Sequence, residues 1–372
     1  MVHLFTDLAC HFYAFALLAP MYPQKQFELF LIYNFIAFVL QCPIGYLMDM
    51  ADQRLFKGLG FGVGTTMLYL GYGFGFLLGA PIPGLIFCAF GNAFMHVVGS
   101  RMVLERSRRG IVGGGVFVAF GALGVGMGDY YGLKRPEIAG TMTILICIAL
   151  LPMLVYAVTE IKRANSSKEG LKVIDTRVTI SPKSVICLGM CLFVVGARSF
   201  TGFFLTDSFQ EFISSETAAS HGLFASMFPG IICFLGKAFG GILVVSFLML
   251  FKVKSLRKMN YIYGISALLA GTVLSYALGH IPVCSVLGSF LLNSVMPVTL
   301  YEIFCILPKN PGFSLGLTTL MLFIGMLPTL VFTPTPETAS LLLIILNMSA
   351  CICLLVGLKC YSEKENLVNK DV

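Results

Sequence analysis

Long apolar blocks, separated by short polar turns, make up nearly the whole chain. We count about six blocks on each side of a polar run at residues 161–183, and most have roughly 20 residues, the length of a helix that crosses the hydrocarbon core of a bilayer. Lipid offers the backbone no hydrogen-bond partners, so such segments are expected to be helical. The pattern predicts an all-α membrane protein with twelve transmembrane helices. The predicted spans are 3–21, 27–48, 58–79, 82–104, 110–131, 137–159, 184–206, 221–247, 259–279, 281–306, 313–332 and 338–359.

The polar run divides the chain into two halves. We predict an N-terminal six-helix bundle at 1–160, a cytoplasmic central loop at 161–183, a C-terminal six-helix bundle at 184–361 and a cytoplasmic tail at 362–372. A faint internal repeat supports two pseudo-symmetric bundles, because spans 4 and 10 align at one constant offset. The aligned pairs are Asn92 with Asn293, Met95 with Met296, Val97 with Val298 and Arg101 with Glu302. Duplicated halves are typical of transporters, whose solute site lies between them near the midplane.

The composition excludes a soluble protein. Charged residues make up 12% of the chain and the mean hydropathy is +0.89, too little polar surface to cover a globular domain. No polar stretch is long enough for a separate catalytic domain, so we do not expect an enzyme. Most of the 12 cysteines lie inside apolar blocks, where they are expected to act as small buried hydrophobic residues. Because the cysteine pairs in these blocks have no His or carboxylate beside them, we predict no metal site and no cofactor.

The positive charges fall mainly on one side of the predicted membrane. Connections on the other side contain only Lys25, Lys134 and Arg135. By the positive-inside rule, both termini and the central loop should be cytoplasmic, in a multi-pass protein of the plasma membrane. The net charge of +7 therefore reflects topology, and we do not expect a nucleic-acid partner.

A short motif follows the second span, from Gly45 to Arg54. It resembles the cytoplasmic signature of the major facilitator superfamily at Gly45, Leu47, Asp49 and Arg54, and departs from it at Met50 and Asp52. The resemblance implies that Asp49 and Arg54 form a cytoplasmic gate with Gly45 allowing close helix approach, and that the gate breaks when a transporter opens inward. The alternative is that both charges are merely solvated at a helix end.

Within that superfamily, the first half resembles the fosmidomycin-resistance-like efflux proteins. Their first span has a His followed four residues later by an Asp, as at His3 and Asp7, and their fourth span ends a small-residue stretch in Phe-His-Pro. Here one residue separates Phe94 from His96 and the Pro is absent. The resemblance implies proton-driven export of small polar compounds.

Ionisable residues inside the spans are the strongest indication of a site, because a charge near the bilayer centre costs roughly 2.5–3.5 kcal/mol even on the most lenient scales. We predict that protons are coupled at Asp7, His11 and His96, since burial disfavours a charged carboxylate and His titrates near neutral pH. The predicted substrate-cavity residues are Asn92, Arg101, Arg198, Asn293 and Glu302. In the superfamily that the motif resembles, spans 1, 4, 7 and 10 line the cavity.

Two of these residues, Asp7 and Arg198, have alternatives without a role in transport. Asp7 could form a silent ion pair with Arg101. Arg198 could clamp an anionic group of the solute, or could pair with Asp207 or Glu211 near the membrane surface. Lys237, in the eighth span, is expected to extend its side chain to the cytoplasmic interface.

Taken together, the sequence predicts a monomeric secondary active transporter that moves a small polar or anionic organic solute by alternating access, with protons as the coupled ion. A proton-driven drug efflux antiporter is the alternative within the same class. A membrane receptor or scaffold without transport and a lipid-modifying membrane enzyme are the alternatives from other classes. The expected partners are the solute, protons and the lipid bilayer.

Overall fold

The computed structural model describes residues 1–106, 110–166, 174–203, 222–332 and 335–360, and all regular structure in these ranges is helical. The helices follow the predicted spans, which we label α1 to α12. The first six are α1 (Val2–Tyr13, continued by Ala14–Leu18 and Ala19–Met21), α2 (Gln26–Asn34, Phe35–Val39 and Gln41–Asp49), α3 (Gln53–Tyr72 and Gly73–Leu77), α4 (Pro81–Arg106), α5 (Gly110–Lys134) and α6 (Ala139–Asn165). The second six are α7 (Pro182–Phe203), α8 (Gly222–Leu250), α9 (Leu256–Thr272 and Val273–Ala277), α10 (Pro282–Ser294 and Met296–Ile306), α11 (Pro311–Met326 and Leu327–Leu330) and α12 (Pro336–Cys360).

Proline marks the start of several of these helices. Its fixed φ suits the first turn, and the N–H it lacks would have no partner there. The helices that begin in this way are α4, α7, α10, α11 and α12. The predicted all-α membrane fold is confirmed.

Ten of the described helices are long and apolar enough to cross a membrane, by length and composition. The exceptions are α3 and α9. Each contains many Gly, Ser, Thr and Tyr residues, which lower its mean hydropathy. Both helices nevertheless fall at the positions predicted for spans 3 and 9.

The chain divides into two compact units. Unit 1 comprises Met1–Met102, Phe120–Thr176 and Asn310–Leu320, and unit 2 comprises Val103–Ala119, Arg177–Lys309 and Met321–Val372. These boundaries pass through α4, α5 and α11, and the division of the chain at residues 160 and 184 stays a prediction. Each unit has its own hydrophobic core, which in unit 1 includes Phe12 and Leu68 and in unit 2 includes Val244 and Leu268.

Candidate functional site

A buried carboxylate, Asp7, lies at the centre of a polar cluster in unit 1. The four-residue spacing of a helix puts His3 and Asp7 on one face of α1, and places Asn92 and His96 on the facing side of α4. His3 Nε2 lies 3.1 Å from Asp7 Oδ2, and His96 Nε2 lies 3.3 Å from Asp7 Oδ1. The Asn92 amide donates a hydrogen bond to Asp7 Oδ1 at 2.9 Å. All four residues are buried, so the cluster is a pre-formed polar site inside the helical core.

The hydrogen bonds of His96 fix where its protons lie. Its Nδ1 is 2.8 Å from the backbone oxygen of Asn92, and because a carbonyl can only accept, Nδ1 must donate. In a neutral imidazole, Nε2 would then direct a lone pair at the Asp7 carboxylate. A proton between His96 Nε2 and Asp7 turns this contact into a charge-assisted hydrogen bond. The arrangement therefore favours a proton shared by Asp7 and the two histidines.

The same three residues also have the donor types of a metal site. The ligand atoms of His3, Asp7 and His96 lie within 4.8 Å of one another. Sequence analysis missed this possibility because it considered the cysteine pairs and not histidines on different helices. The direct contacts of 3.1 and 3.3 Å are ordinary hydrogen-bond distances, and a shared proton accounts for them without a further ion.

Glycines of α5 make the room that the cluster needs. A Cβ at Gly121 would overlap His3 Nε2 and come within 2.6 Å of Asp7 Oδ2. One turn on, a Cβ at Gly124 would lie 3.0 Å from Asp7 Cβ, and one at Gly128 would lie 2.6 Å from His11 Cβ. The glycine-rich stretch of α5 thus packs directly on α1, as small residues in membrane helices do.

We expect Gly121→Ala to destabilise the protein by about 1–3 kcal/mol, because the added methyl group forces the His3 and Asp7 side chains out of their positions. Gly189→Ala in α7 is the matched control, since its Cβ would meet nothing within 4 Å, and the change from Gly should instead favour the helix by about 1 kcal/mol. Thermal melting in detergent, followed by circular dichroism, measures both. Equal melting temperatures for the two variants would contradict the predicted crowding.

His11, the third predicted proton-coupling residue, lies outside the Asp7 cluster. Its Nδ1 donates to Asp129 Oδ1 at 2.8 Å, so α1 and α5 hold a second His–carboxylate pair. Beside it is an apolar cavity whose lining includes His11, Phe15, Leu29 and Tyr33. Sequence analysis did not single out Asp129, although an acidic residue within the apolar α5 was a signal that could have identified it.

In unit 2, the predicted cavity residues Arg198 and Asn293 are in direct contact. One terminal nitrogen of Arg198 donates to Asn293 Oδ1 at 3.1 Å, and the other is buried without a hydrogen-bond partner among the described residues. Cys233 of α8 also donates to Asn293 Oδ1, at 3.2 Å. Asp207 and Glu211, the alternative partners of Arg198, lie outside the described residues.

The predicted gate residue Asp49 binds the start of α11 within unit 1. Its two oxygens accept the N–H groups of Gly312 and Phe313 at 2.9 and 2.8 Å, which are unpaired donors at the positive end of the helix dipole. Gly45 lies against Gly312 so closely that a Cβ would overlap its carbonyl oxygen. The side chain of Arg54 lies outside the described residues.

Arg101 lies beside Asp49 and not beside Asp7. Its Nε is 3.8 Å from Asp49 Oδ1, its guanidinium donates to the Met48 and Ala51 carbonyl groups, and it stacks 3.7 Å from the centre of the Phe56 ring. The ion pair between Asp7 and Arg101, considered as an alternative from the sequence, is replaced in the structure by the histidine contacts of Asp7.

Glu302 takes part in a buried network of unit 2. Arg257 Nε donates to one carboxylate oxygen and the Asn260 amide donates to the other, both at 2.9 Å, and the Glu302 side chain is fully buried. Sequence analysis named neither Arg257 nor Asn260 as a site residue. The contacts join α9 to α10.

Comparison with known proteins identifies the fold. No family model and no curated protein matches the sequence. Among solved structures, the chain is similar to a bacterial homologue of the iron transporter ferroportin in the outward-facing state, with a TM-score of 0.64, 15% identity, and coverage of 96% of this chain and 97% of that chain. It is also similar to the E. coli fucose:proton symporter, with a TM-score of 0.58, 14% identity, and coverage of 96% and 97%. A structure of that symporter as a major facilitator superfamily transporter in the outward conformation gives a TM-score of 0.58 at 14% identity, over 95% of this chain and 98% of that one.

Similarity at such low identity establishes the fold alone, and the closer resemblance to fosmidomycin-resistance-like proteins stays a prediction. The chain is an all-α membrane protein with the major facilitator fold.

Proposed function

We propose that this protein is a secondary active transporter that moves a small polar or anionic organic solute by alternating access, with protons as the coupled ion. The fold supports transport, since the similar structures include an iron transporter homologue and a fucose:proton symporter. The observation that carries the proton coupling is the buried contact of Asp7 with His3 and His96, in which the hydrogen bonding of His96 calls for a shared proton.

The remaining assignments belong to the same proposal. Asp7, His96 and His11 exchange the coupled proton. Arg198 and Asn293 bind the solute, and Asn92 supports the proton site through its hydrogen bond to Asp7. Gly45, Asp49 and Arg54 form the cytoplasmic gate, for which the contact of Asp49 with the start of α11 is the support. The protein acts as a monomer in the plasma membrane, in two six-helix bundles, with both termini in the cytoplasm.

Glu302 and Arg101, two of the predicted cavity residues, fit a positioning role better than solute binding. Each is buried and already engaged by groups of its own unit, Glu302 by Arg257 and Asn260, and Arg101 by backbone oxygens and Asp49. A residue whose charge is already compensated within the protein contributes little to binding a solute.

Reconstitution tests the proposal. We expect the purified full-length protein, in liposomes that contain a pH-sensitive dye, to move protons when a transported solute is added outside. A panel of sugars, organic cations, monoanions and dianions covers the classes that the proposal allows and those that it does not. Protein-free liposomes and a protonophore are the controls for leak.

Two results would contradict the proposal at different points. Counterflow of a radiolabelled solute without any proton movement would mean that the protein is a transporter but is not coupled to protons. The absence of both counterflow and proton movement across the panel would favour a receptor, a scaffold or a lipid enzyme.

A further inference from the structure

Two cationic side chains of unit 2, Arg198 and Lys237, have no carboxylate partner among the described residues. Where the structure describes unit 2, its buried carboxylate is Glu302, which is engaged by Arg257 and Asn260. One terminal nitrogen of Arg198 is buried without any hydrogen-bond partner within the described part of the chain. Unpaired charges inside membrane helices are costly and typically mark the path of a substrate or an ion.

Lys237 and Asn293, the residue that holds Arg198, each lie near the middle of their helices. Asn293, which holds the Arg198 guanidinium, lies 11 residues from Pro282 and 13 from Ile306, near the middle of α10. Lys237 lies 10 residues from Met227 and 13 from Leu250 in α8, or about 15 and 20 Å from the two ends of that span. A lysine side chain is much shorter than either distance. These distances favour a place for Lys237 inside the protein over the cytoplasmic interface that the sequence predicts.

Lys237 lies one turn after Cys233 on α8, and Cys233 contacts the residue that holds the Arg198 guanidinium. A Cβ at Gly236, the residue before Lys237, would lie 2.7 Å from Asn293 Cβ. Cys233, one turn before Lys237, contacts Asn293 Oδ1 at 3.2 Å, and residues four apart are neighbours on a helix face. Lys237 itself is only partly buried.

Asn293 holds the Arg198 side chain in a fixed orientation. Its own amide nitrogen donates to the Ser289 carbonyl at 2.9 Å, which leaves Oδ1 as the acceptor for the guanidinium. One half of the Arg198 fork is thereby fixed, and the other half has donors free to bind an anion in a set orientation.

We propose that Arg198 and Lys237 together bind a small organic solute that carries two negative charges, as a dicarboxylate or a phosphate monoester does. This inference rests on the proposed function and makes its solute more specific. Two positive charges in the site are balanced by two negative charges on the solute, and a singly charged analogue leaves one cation uncompensated.

Protection of Cys233 from alkylation measures the binding, because its thiol lies against Asn293 in the proposed site. The probes are succinate with its monoamide succinamate as the matched control, and glycerol 3-phosphate with glycerol. Peptide mass spectrometry follows the rate of alkylation at Cys233 in the detergent-solubilised full chain. We expect one or both dianions to slow the reaction at millimolar or lower concentration, and neither control to do so. Which dianion protects separates a dicarboxylate site from a phosphate site.

The residue assignment is tested with Arg198→Gln and Lys237→Gln. Each should weaken protection by the dianion by on the order of 10- to 100-fold in affinity, the range expected for losing a charge-assisted hydrogen bond. Lys258→Gln, which removes an exposed cation from the start of α9, should leave protection unchanged. Unchanged affinity in Arg198→Gln or Lys237→Gln, or equal protection by succinate and succinamate, would overturn the proposal.

Further variants distinguish an anion site from an ion pair of Arg198, and a failure of anion binding from a failure of proton coupling. If Arg198 instead pairs with Asp207 or Glu211, removal of that carboxylate will restore normal behaviour to Arg198→Gln, which would overturn the anion site. Asp7→Asn should retain full protection by the dianion. Loss of proton movement with intact dianion binding would thus separate a failure of the coupling proposal from a failure of this one.

Discussion

Replacing Asp7 with asparagine is expected to abolish solute-dependent proton movement in liposomes while counterflow of the solute persists. Asparagine has nearly the same shape as aspartate, so the packing against α5 is kept, but its neutral amide neither binds nor releases a proton. Without the carboxylate, the contact with His96 Nε2 has no negative charge to hold the shared proton. The measurements are the internal pH dye for coupling and a radiolabelled solute for exchange.

Counterflow is the readout that distinguishes lost coupling from lost folding, because it needs alternating access but no net proton transfer. Glu137→Gln is the matched control, since it removes an exposed carboxylate that pairs with Arg135 at the start of the segment before α6. It should leave both readouts unchanged. An unaltered dependence of flux on the pH gradient in Asp7→Asn would show that the coupled proton binds elsewhere.

Asp129→Asn then decides the role of His11. This carboxylate holds the second His–carboxylate pair of unit 1, and its side chain is 38% exposed, whereas that of Asp7 is 12% exposed. If the proton passes through both pairs, Asp129→Asn will slow proton movement without abolishing it. If the His11 pair is structural, proton movement will equal that of the unaltered protein.

An asparagine on α4 and one on α10 each form a hydrogen bond to a charged side chain, and the two side chains have opposite charges. Asn92 donates its amide hydrogen to the Asp7 carboxylate, whereas Asn293 presents its amide oxygen to the Arg198 guanidinium. An amide can do either, because it has both a donor and an acceptor. The internal repeat aligned these two asparagines in the sequence. Their shared position now has a physical reason, since each orients a charged residue of a neighbouring helix, α1 in one case and α7 in the other.

The sequence was sufficient for the helices because apolar length and membrane thickness determine them. It also identified Asp7, Asn92 and His96, since a four-residue spacing places residues on one helix face without any knowledge of the neighbours. It placed His11 and not His3 at the proton site with Asp7, whereas in the structure His3 contacts Asp7 and His11 contacts Asp129. Both lie four residues from Asp7, and only the position of α4 and α5 against α1 separates them.

The sequence did not predict which residues from distant parts of the chain contact one another. Glu302 was assigned to the cavity because its span lines the cavity in the superfamily, yet its partner Arg257 is 45 residues away and lies in a basic cluster that reads as a topology signal. Asp49 was identified from its motif, but its contact with Gly312 depends on how α2 and α11 pack. A single sequence contains the charges but not which of them meet.

The pair formed by Glu302 and Arg257 is the basis of the largest stability effect that we expect. Glu302→Ala should destabilise the protein by about 3–5 kcal/mol, because it leaves the Arg257 guanidinium buried without its counter-charge. The Asn260 amide would also lose one of its acceptors. The chain has no tryptophan, so thermal melting in detergent is followed by far-UV circular dichroism and not by intrinsic tryptophan fluorescence.

A double-mutant cycle separates the interaction energy of Arg257 and Glu302 from the cost of leaving one buried charge without its partner. Arg257→Ala together with Glu302→Ala removes both charges, so the double variant should be destabilised by clearly less than the sum of the two single variants. Arg163→Ala, which breaks a pair whose Arg side chain is 68% exposed, is the control and should change the melting temperature little. Additive effects in the cycle would mean that Arg257 and Glu302 act independently. The contact between α9 and α10 would then be held by packing and not by this network.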